Sequence, residues 1–145
     1  MSIFHIPAYT DNYIWVLQSG NNISIIDPGE AKPVLEVIKK QDFNLVDILL
    51  THHHFDHVGG TTELKKIMSG KVYGPNGNIE GVDINVIEED EVKTLNYTFK
   101  ILHTPGHTLD HISYIDYGNK ILFCGDTLFS AGCGRIFEGT FKQMH

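Results

Sequence analysis

Between Thr51 and Gly60 the chain reads THHHFDHVGG, and four of the six residues from His52 to His57 are histidines, with Asp56 among them. Imidazole nitrogen and carboxylate oxygen are donors that zinc, iron and manganese accept, and so dense a set suits two cations better than one. A solvated polar loop or a purification-tag run is the alternative, but a tag sits at a terminus and is not followed by Asp, His and a Gly-Gly turn. His52 and His54 stand at i and i+2, on one face of a locally extended segment, so His53 faces away and is read as a supporting or structural residue. Asp56 and His57 follow at once, and Gly59-Gly60 lets the backbone turn tightly as the loop ends.

Ligands to a metal must converge from separate parts of a fold. Two later loops carry candidates: HTPGHTLDH, His103 to His111, and GDTLFSAGCGRIFEGT, Gly125 to Thr140. His107, between Gly106 and Thr108 in a Pro-Gly loop, is placed as a ligand rather than a core histidine. Asp126 offers two oxygens that can bridge two cations; its alternative role is to cap the following turn. His103, His111 and His5 are read as hydrogen-bonded scaffold, and Cys124 and Cys133 as free thiols too few for a disulfide framework.

These groups need strands to deliver them. Ile3–Ile6, Tyr13–Leu17 and Ile23–Ile26 have strand patterning and are separated by turn formers, which predicts antiparallel neighbours. Asp27-Pro28-Gly29 ends the third. A helix with Pro33 in its first turn should run to about Gln41, and Leu45–Leu50 (LVDILL) reads as a strand buried on both faces. After the cluster, Thr61 or Thr62 can cap a helix carrying Leu64, Ile67 and Met68, closed by Gly70. Lys71–Tyr73 reads as a strand, Gly74–Asp90 as a loop with a short strand at Ile84–Ile87, and Tyr97–Leu102, Ile112–Ile115 and Ile121–Cys124 as strands. His52 follows LVDILL and Asp126 follows ILFC, so both should emerge at one end of a sheet. Thr140 and Gln143 form the T-x-x-Q of a capping box, announcing a helix of which the chain holds about one turn.

At 145 residues the chain suits one core, and its 41% hydrophobic and 20% charged content is that of an ordinary globular protein. A formal charge of -7 argues against a nucleic-acid partner and for a small metabolite. No apolar run approaches the ~20 residues of a membrane span, and no signal peptide is visible, so a cytoplasmic, non-membrane protein is expected.

H-x-H-x-D-H after a strand, then the histidine of TPGHT and the aspartate of GD, occur in an order that resembles the metallo-β-lactamase superfamily of binuclear hydrolases. With TDNY (Thr10–Tyr13), IDPG, HTPGHT and GDTLFSAGCGRIFEGT, the whole chain is similar to its glyoxalase II (hydroxyacylglutathione hydrolase) family. The resemblance implies an α/β (α+β) αββα sandwich. It implies His52, His54 and His107 on a first divalent cation, Asp56 and His57 on a second, and Asp126 between them, the ions being zinc with iron or manganese as alternatives. It places Arg135, Ile136 and Phe137 against the glutathione part of the substrate, Phe137 standing where a tyrosine is usual.

The implied reaction is hydrolysis of an S-(2-hydroxyacyl)glutathione thioester, with Asp56 fixing the second cation and accepting a hydrogen bond from the nucleophile. The resemblance also makes residues 1–145 the N-terminal portion of the catalytic domain, lacking a further ligand histidine, the rest of the sandwich and a helical domain. One tightly held cation, an impaired second site and self-association through uncovered sheet are the corresponding expectations. Hydrolysis of a lactone, lactam or phosphoester, or metal binding without catalysis, are the alternatives. A diiron oxygen reductase is disfavoured, because a carboxylate would be expected at His54.

Overall fold

The computed structural model describes residues 2–144. Three strands open the chain: β1 (Ser2–Ala8), β2 (Asn12–Ser19) and β3 (Asn22–Ile26), paired antiparallel as their alternation requires. Helix α1 (Ala31–Gln41) then crosses back, and β4 (Asn44–Leu49) pairs parallel with β3. Its NLVDIL sequence buries apolar groups on both faces, the pattern of a strand covered on two sides. Short β5 (Val72–Pro75) and β6 (Ile84–Val86) extend the sheet in parallel, giving six strands in sequence order. A second sheet, ordered β10-β9-β8-β7, is antiparallel and comprises β7 (Glu91–Thr94), β8 (Tyr97–His103), β9 (Ile112–Asp116) and β10 (Ile121–Phe123).

Two apolar layers hold these sheets. Ile14, Val16, Ile23, Ile25, Ile48 and Val72 pack against Ala31 and Val34 of α1 and against Leu64. On the opposite face, Leu17, Ile26 and Leu49 meet Phe99, Ile101, Tyr114 and Phe123 of the second sheet. The described residues therefore form helix, sheet and sheet in three layers, in keeping with the α+β sandwich expected. Tyr114 donates its hydroxyl to the Leu50 carbonyl (2.9 Å), pinning the second sheet to the end of β4 just before the histidines.

Two elements depart from expectation. Residues Phe55–Val58 form a helical turn, α2, inside the histidine cluster, and it turns Asp56 and His57 away from the line of His52 and His54. The helix expected to carry Leu64, Ile67 and Met68 is only α3 (Thr61–Leu64), capped by Gly60 without a side-chain bond, and Ile67 is exposed. Tertiary bonds override the helical pattern here: Ser69 and Gly70 donate their amides to the Leu45 and Val46 carbonyls (3.0 and 2.8 Å), pulling the chain into β5. The capping box does form, with Thr140 N to Gln143 Oε1 at 2.9 Å and Gln143 N to Thr140 Oγ1 at 3.3 Å, at the start of α4 (Phe141–Met144).

Candidate metal centre

β4 delivers Thr51 and His52 to the end of the six-stranded sheet, and the loop after β10 brings Asp126 to the same place. Gly125 makes the close approach feasible. Its φ is +48°, and a Cβ there would lie 2.5 Å from Thr51 Oγ1.

His52, His54 and His107 form one cluster, with a nitrogen of each within 4.8 Å of the others. His107 Nδ1 donates to the Arg135 carbonyl (2.6 Å), which leaves Nε2 as a lone pair 2.9 Å from His54 Nδ1. Thr51 spends its hydroxyl proton on Asp27 Oδ2 (2.6 Å) and so accepts from His52 Nδ1 (3.0 Å). His52 Nε2 is thereby a bare lone pair, fully buried and without a hydrogen-bond partner. Burial, then the neighbouring imidazoles, holds the His52 pKa far below the ordinary histidine value, and burial and His107 lower that of His54.

The other cluster is acidic. His57 Nδ1 donates to Asp27 Oδ2 at 3.0 Å, while its Nε2 lies 3.2 Å from Asp126 Oδ1 and 3.5 Å from Asp56 Oδ2. Those contacts are near enough for attraction but out of line for hydrogen bonds, so Nε2 too is buried and unpartnered. Burial opposes a charge on His57, but the carboxylates of Asp126 and Asp27 outweigh it and push the imidazole up to about 10. Asp56 is held at the rim by Asn12, whose Nδ2 donates to Oδ2 (2.8 Å).

Asp126 joins the two clusters. Its Oδ1 faces His57 and its Oδ2 faces His107 Nε2 at 3.3 Å. Burial raises its pKa, yet the imidazoles, His57 above all, bring it below the usual carboxylate value.

Arg135 and Phe137 border His54 and His107, and Ile136 between them is half-buried. The Phe137 ring meets His54 and His107 edge-on, with centroids 5.5 and 5.2 Å apart, and the Arg135 guanidinium carbon lies 5.7 Å from the Phe137 centroid. Gly134 permits this course, since a Cβ there would sit 1.8 Å from the Asp126 carbonyl oxygen. A groove of about 830 Å³ runs from Asp56, His57 and Asp126 along Tyr13, Trp15 and Phe123.

His53 points away from the cluster, toward Asp110 and Glu138. His103 bonds the Leu109 carbonyl and His5 meets Tyr13 and Trp15 edge-on, both apart from the clusters. His111 is fully buried and stacked on His52, with centroids 4.8 Å apart; it accepts the Asp126 amide and touches Thr104. Burial brings its pKa down to about 4.

The sequence reading missed Asp27, Thr51 and Asn12 as supports of the site. Asp27 carried a usable signal, for it follows an apolar strand as Asp126 does. The donor set fits cations: imidazole nitrogens, those of His52, His57 and His107 each oriented by a partner on the other nitrogen, converge on either side of a two-oxygen carboxylate.

The family profile described as the Metallo-beta-lactamase superfamily matches residues 10–78 and 67–145. The chain therefore belongs to that superfamily, whose fold implies divalent metal binding. It is 52% identical over 148 residues to a protein of Klebsiella pneumoniae subsp. pneumoniae named hydroxyacylglutathione hydrolase, covering 100% of this chain and 58% of that protein. The chain thus spans less than two thirds of the length of the curated relatives it matches. Among solved structures it is similar to the BLEG-1 B3 metallo-beta-lactamase, with TM-score 0.87, 26% identity and coverage of 99% of this chain and 81% of that one. It is also similar to TTHA1623 in a di-iron-bound form, with TM-score 0.75, 26% identity and coverage of 96% and 80%. Among the described residues no helix is long and apolar enough to cross a membrane.

Proposed function

We propose that residues 1–145 are the N-terminal, metal-holding portion of a metallo-β-lactamase-like catalytic domain. Its activity is a thioesterase hydrolysing S-(2-hydroxyacyl)glutathione, such as S-lactoylglutathione, to a 2-hydroxy acid and glutathione. The observation that carries this is the convergence of imidazole nitrogens on both sides of the Asp126 carboxylate, with those of His52 and His57 buried and unpartnered. His52, His54 and His107 would hold a first cation, Asp56 and His57 a second, and Asp126 both. Nitrogen and oxygen donors of this kind suit zinc, with iron or manganese as alternatives.

Bound divalent cations supply Lewis acidity, which brings a water's pKa toward neutrality and polarises a carbonyl. The chain's own residues then orient and select. Asn12 holds Asp56 Oδ2, which leaves Oδ1 to accept a hydrogen bond from the attacking water. Arg135 offers a guanidinium to a carboxylate of glutathione at the mouth, and Phe137 walls the histidines from bulk solvent. The leaving thiolate needs little proton donation. The name shared by the relatives supports the thioester as substrate.

The similarity to a B3 metallo-beta-lactamase favours lactam hydrolysis as a second reading. Incubating the zinc-loaded chain with S-lactoylglutathione and, separately, with a chromogenic cephalosporin separates them. Thioester cleavage above the zinc-only blank is expected. Lactam cleavage alone would overturn the proposal, and no hydrolysis despite bound zinc would leave a metal-binding module. Sedimentation of the same sample tests self-association through the open face at Tyr13 and Trp15.

A further inference from the structure

His53 carries no ligand role in the arrangement above, yet both its ring nitrogens are engaged. Nδ1 donates to the two oxygens of Asp110 at 2.9 and 3.0 Å, and Nε2 lies 3.2 Å from Glu138 Oε1. Each carboxylate is fixed in turn: Thr108 Oγ1 donates to Asp110 (2.5 Å), and the Leu109 amide donates to Glu138 Oε2 (2.9 Å). One imidazole thus ties the histidine cluster to the loop bearing His107 and to the strip bearing Arg135–Phe137. Those two segments are laced to each other as well, by Phe137 N on the His107 carbonyl (3.2 Å) and Gly139 N on the Gly106 carbonyl (3.0 Å).

We infer that His53, Asp110 and Glu138 form a positioning clamp that sets the spacing of His107 against His52 and His54 and holds Phe137 over them. The inference rests on the proposal that His52, His54 and His107 hold a cation. Polar contacts as open to solvent as those of His53 and Glu138 add little to stability because solvent screens them, so the clamp's effect belongs to site geometry rather than to folding. His53, His54 and Glu138 also lie close enough to hold an extra cation. The clamp accounts for them better, since the far sides of both His53 and Glu138 already have partners.

The test uses the chain with His53→Ala, Glu138→Gln and the double substitution. Zinc affinity, read by competition with a chromophoric chelator, should fall ~10-fold in each single variant and no further in the double, the scale on which groups behind a ligand act. The visible spectrum of the cobalt-loaded chain should shift in His53→Ala, and His53→Gln, which retains a donor toward Asp110, should recover part of the affinity. In the metal-free chain, hydrogen exchange at the Leu109, Phe137 and Gly139 amides should quicken while that of β4 holds. Unchanged exchange at those amides, or zinc affinity unchanged in the variants, would overturn the clamp. An additional zinc equivalent lost in Glu138→Gln would overturn it in favour of a cation site. If the unsubstituted chain takes up no zinc, the metal-site proposal fails, and the exchange measurement still decides the clamp.

Discussion

The two halves of the centre are built on opposite electrostatic plans. Around His52, His54 and His107 the protein removes water and brings imidazoles together, which holds the pKa of His52 and His54 down, and it fixes His52 and His107 through Thr51 Oγ1 and the Arg135 carbonyl. Around His57 it gathers carboxylates from Asp27, Asp56 and Asp126, so that a lone imidazole is held positive. The first half has lone pairs waiting for a cation, whereas the second already holds a positive charge in the form of a proton. Under the proposed ligand assignment, the same fold end offers one site preorganised for metal and another at which metal must displace a proton.

If that contrast is right, deleting a ligand from the neutral half does the greatest damage. His107→Ala removes one of three converging imidazoles, and tight zinc binding should weaken by more than ~100-fold, beyond the usual effect of an outer partner. Metal analysis after dialysis checks this. The unsubstituted chain should retain about one equivalent and the variant almost none, while two tight equivalents in the former would erase the distinction between the halves.

The metal-free chain should respond to pH in opposite senses at the two halves. His111 and His52 have folded-state pKa values below the unfolded one, so their neutral forms contribute stability above about pH 6.5 that is lost as the pH falls. For His111, brought down to about 4, the loss is on the order of 3 kcal/mol once the pH reaches 4. His57 is raised, so its contribution is fully present below about pH 6.5 and is lost as the pH climbs toward 10. Chemical denaturation across this range should show a limb on each side, and saturating zinc should flatten the alkaline one. A stability flat from pH 6.5 to 10 without metal would remove the proton from the second half.

Much of this centre was legible in the sequence because ligand chemistry restricts residue type. His52, His54, Asp56, His57, His107 and Asp126 stood out by type and by position after strands, and the fold gathers all six at one sheet end. Thr51 did not stand out, and the position of Asp27 after a strand did not reveal its partner, since a buried Asp–Thr bond across 24 residues leaves no local pattern. The α3 stretch misled for a related reason: Leu64, Ile67 and Met68 have helical spacing, but amide bonds to β4 decide where the chain goes. Local periodicity reports the surface a segment could bury, and distant backbone partners settle whether it does.

The second half should also bind metal with a pH dependence set by His57. Displacing one proton from His57 makes the weaker zinc affinity rise about tenfold per pH unit below its pKa of about 10. Titrations in chelator-buffered zinc between about pH 6 and 8, within the range where His57 is protonated, should show this slope for the second equivalent. Parallel slopes for the two equivalents would mean that both sites start from the same protonation state.

Asp27→Asn asks how independent the halves are, because one oxygen of Asp27 serves both: Oδ2 accepts from Thr51 Oγ1 and from His57 Nδ1, while Oδ1 accepts from the Thr51 amide. An amide group cannot present two acceptors. With its oxygen kept on the Thr51 amide, its NH2 faces His57 Nδ1 and forces the proton to Nε2, turning the lone pair away from the second cation. It faces Thr51 as well, whose hydroxyl then donates to His52 Nδ1 and moves that imidazole's proton to Nε2. Both zinc affinities should therefore drop, each by roughly tenfold, with the metal-free chain losing about 1 to 3 kcal/mol for the disturbed buried bonds. A drop confined to the second equivalent would show that Thr51 does not transmit the state of Asp27 to His52, and that the two halves share a carboxylate without sharing its consequences.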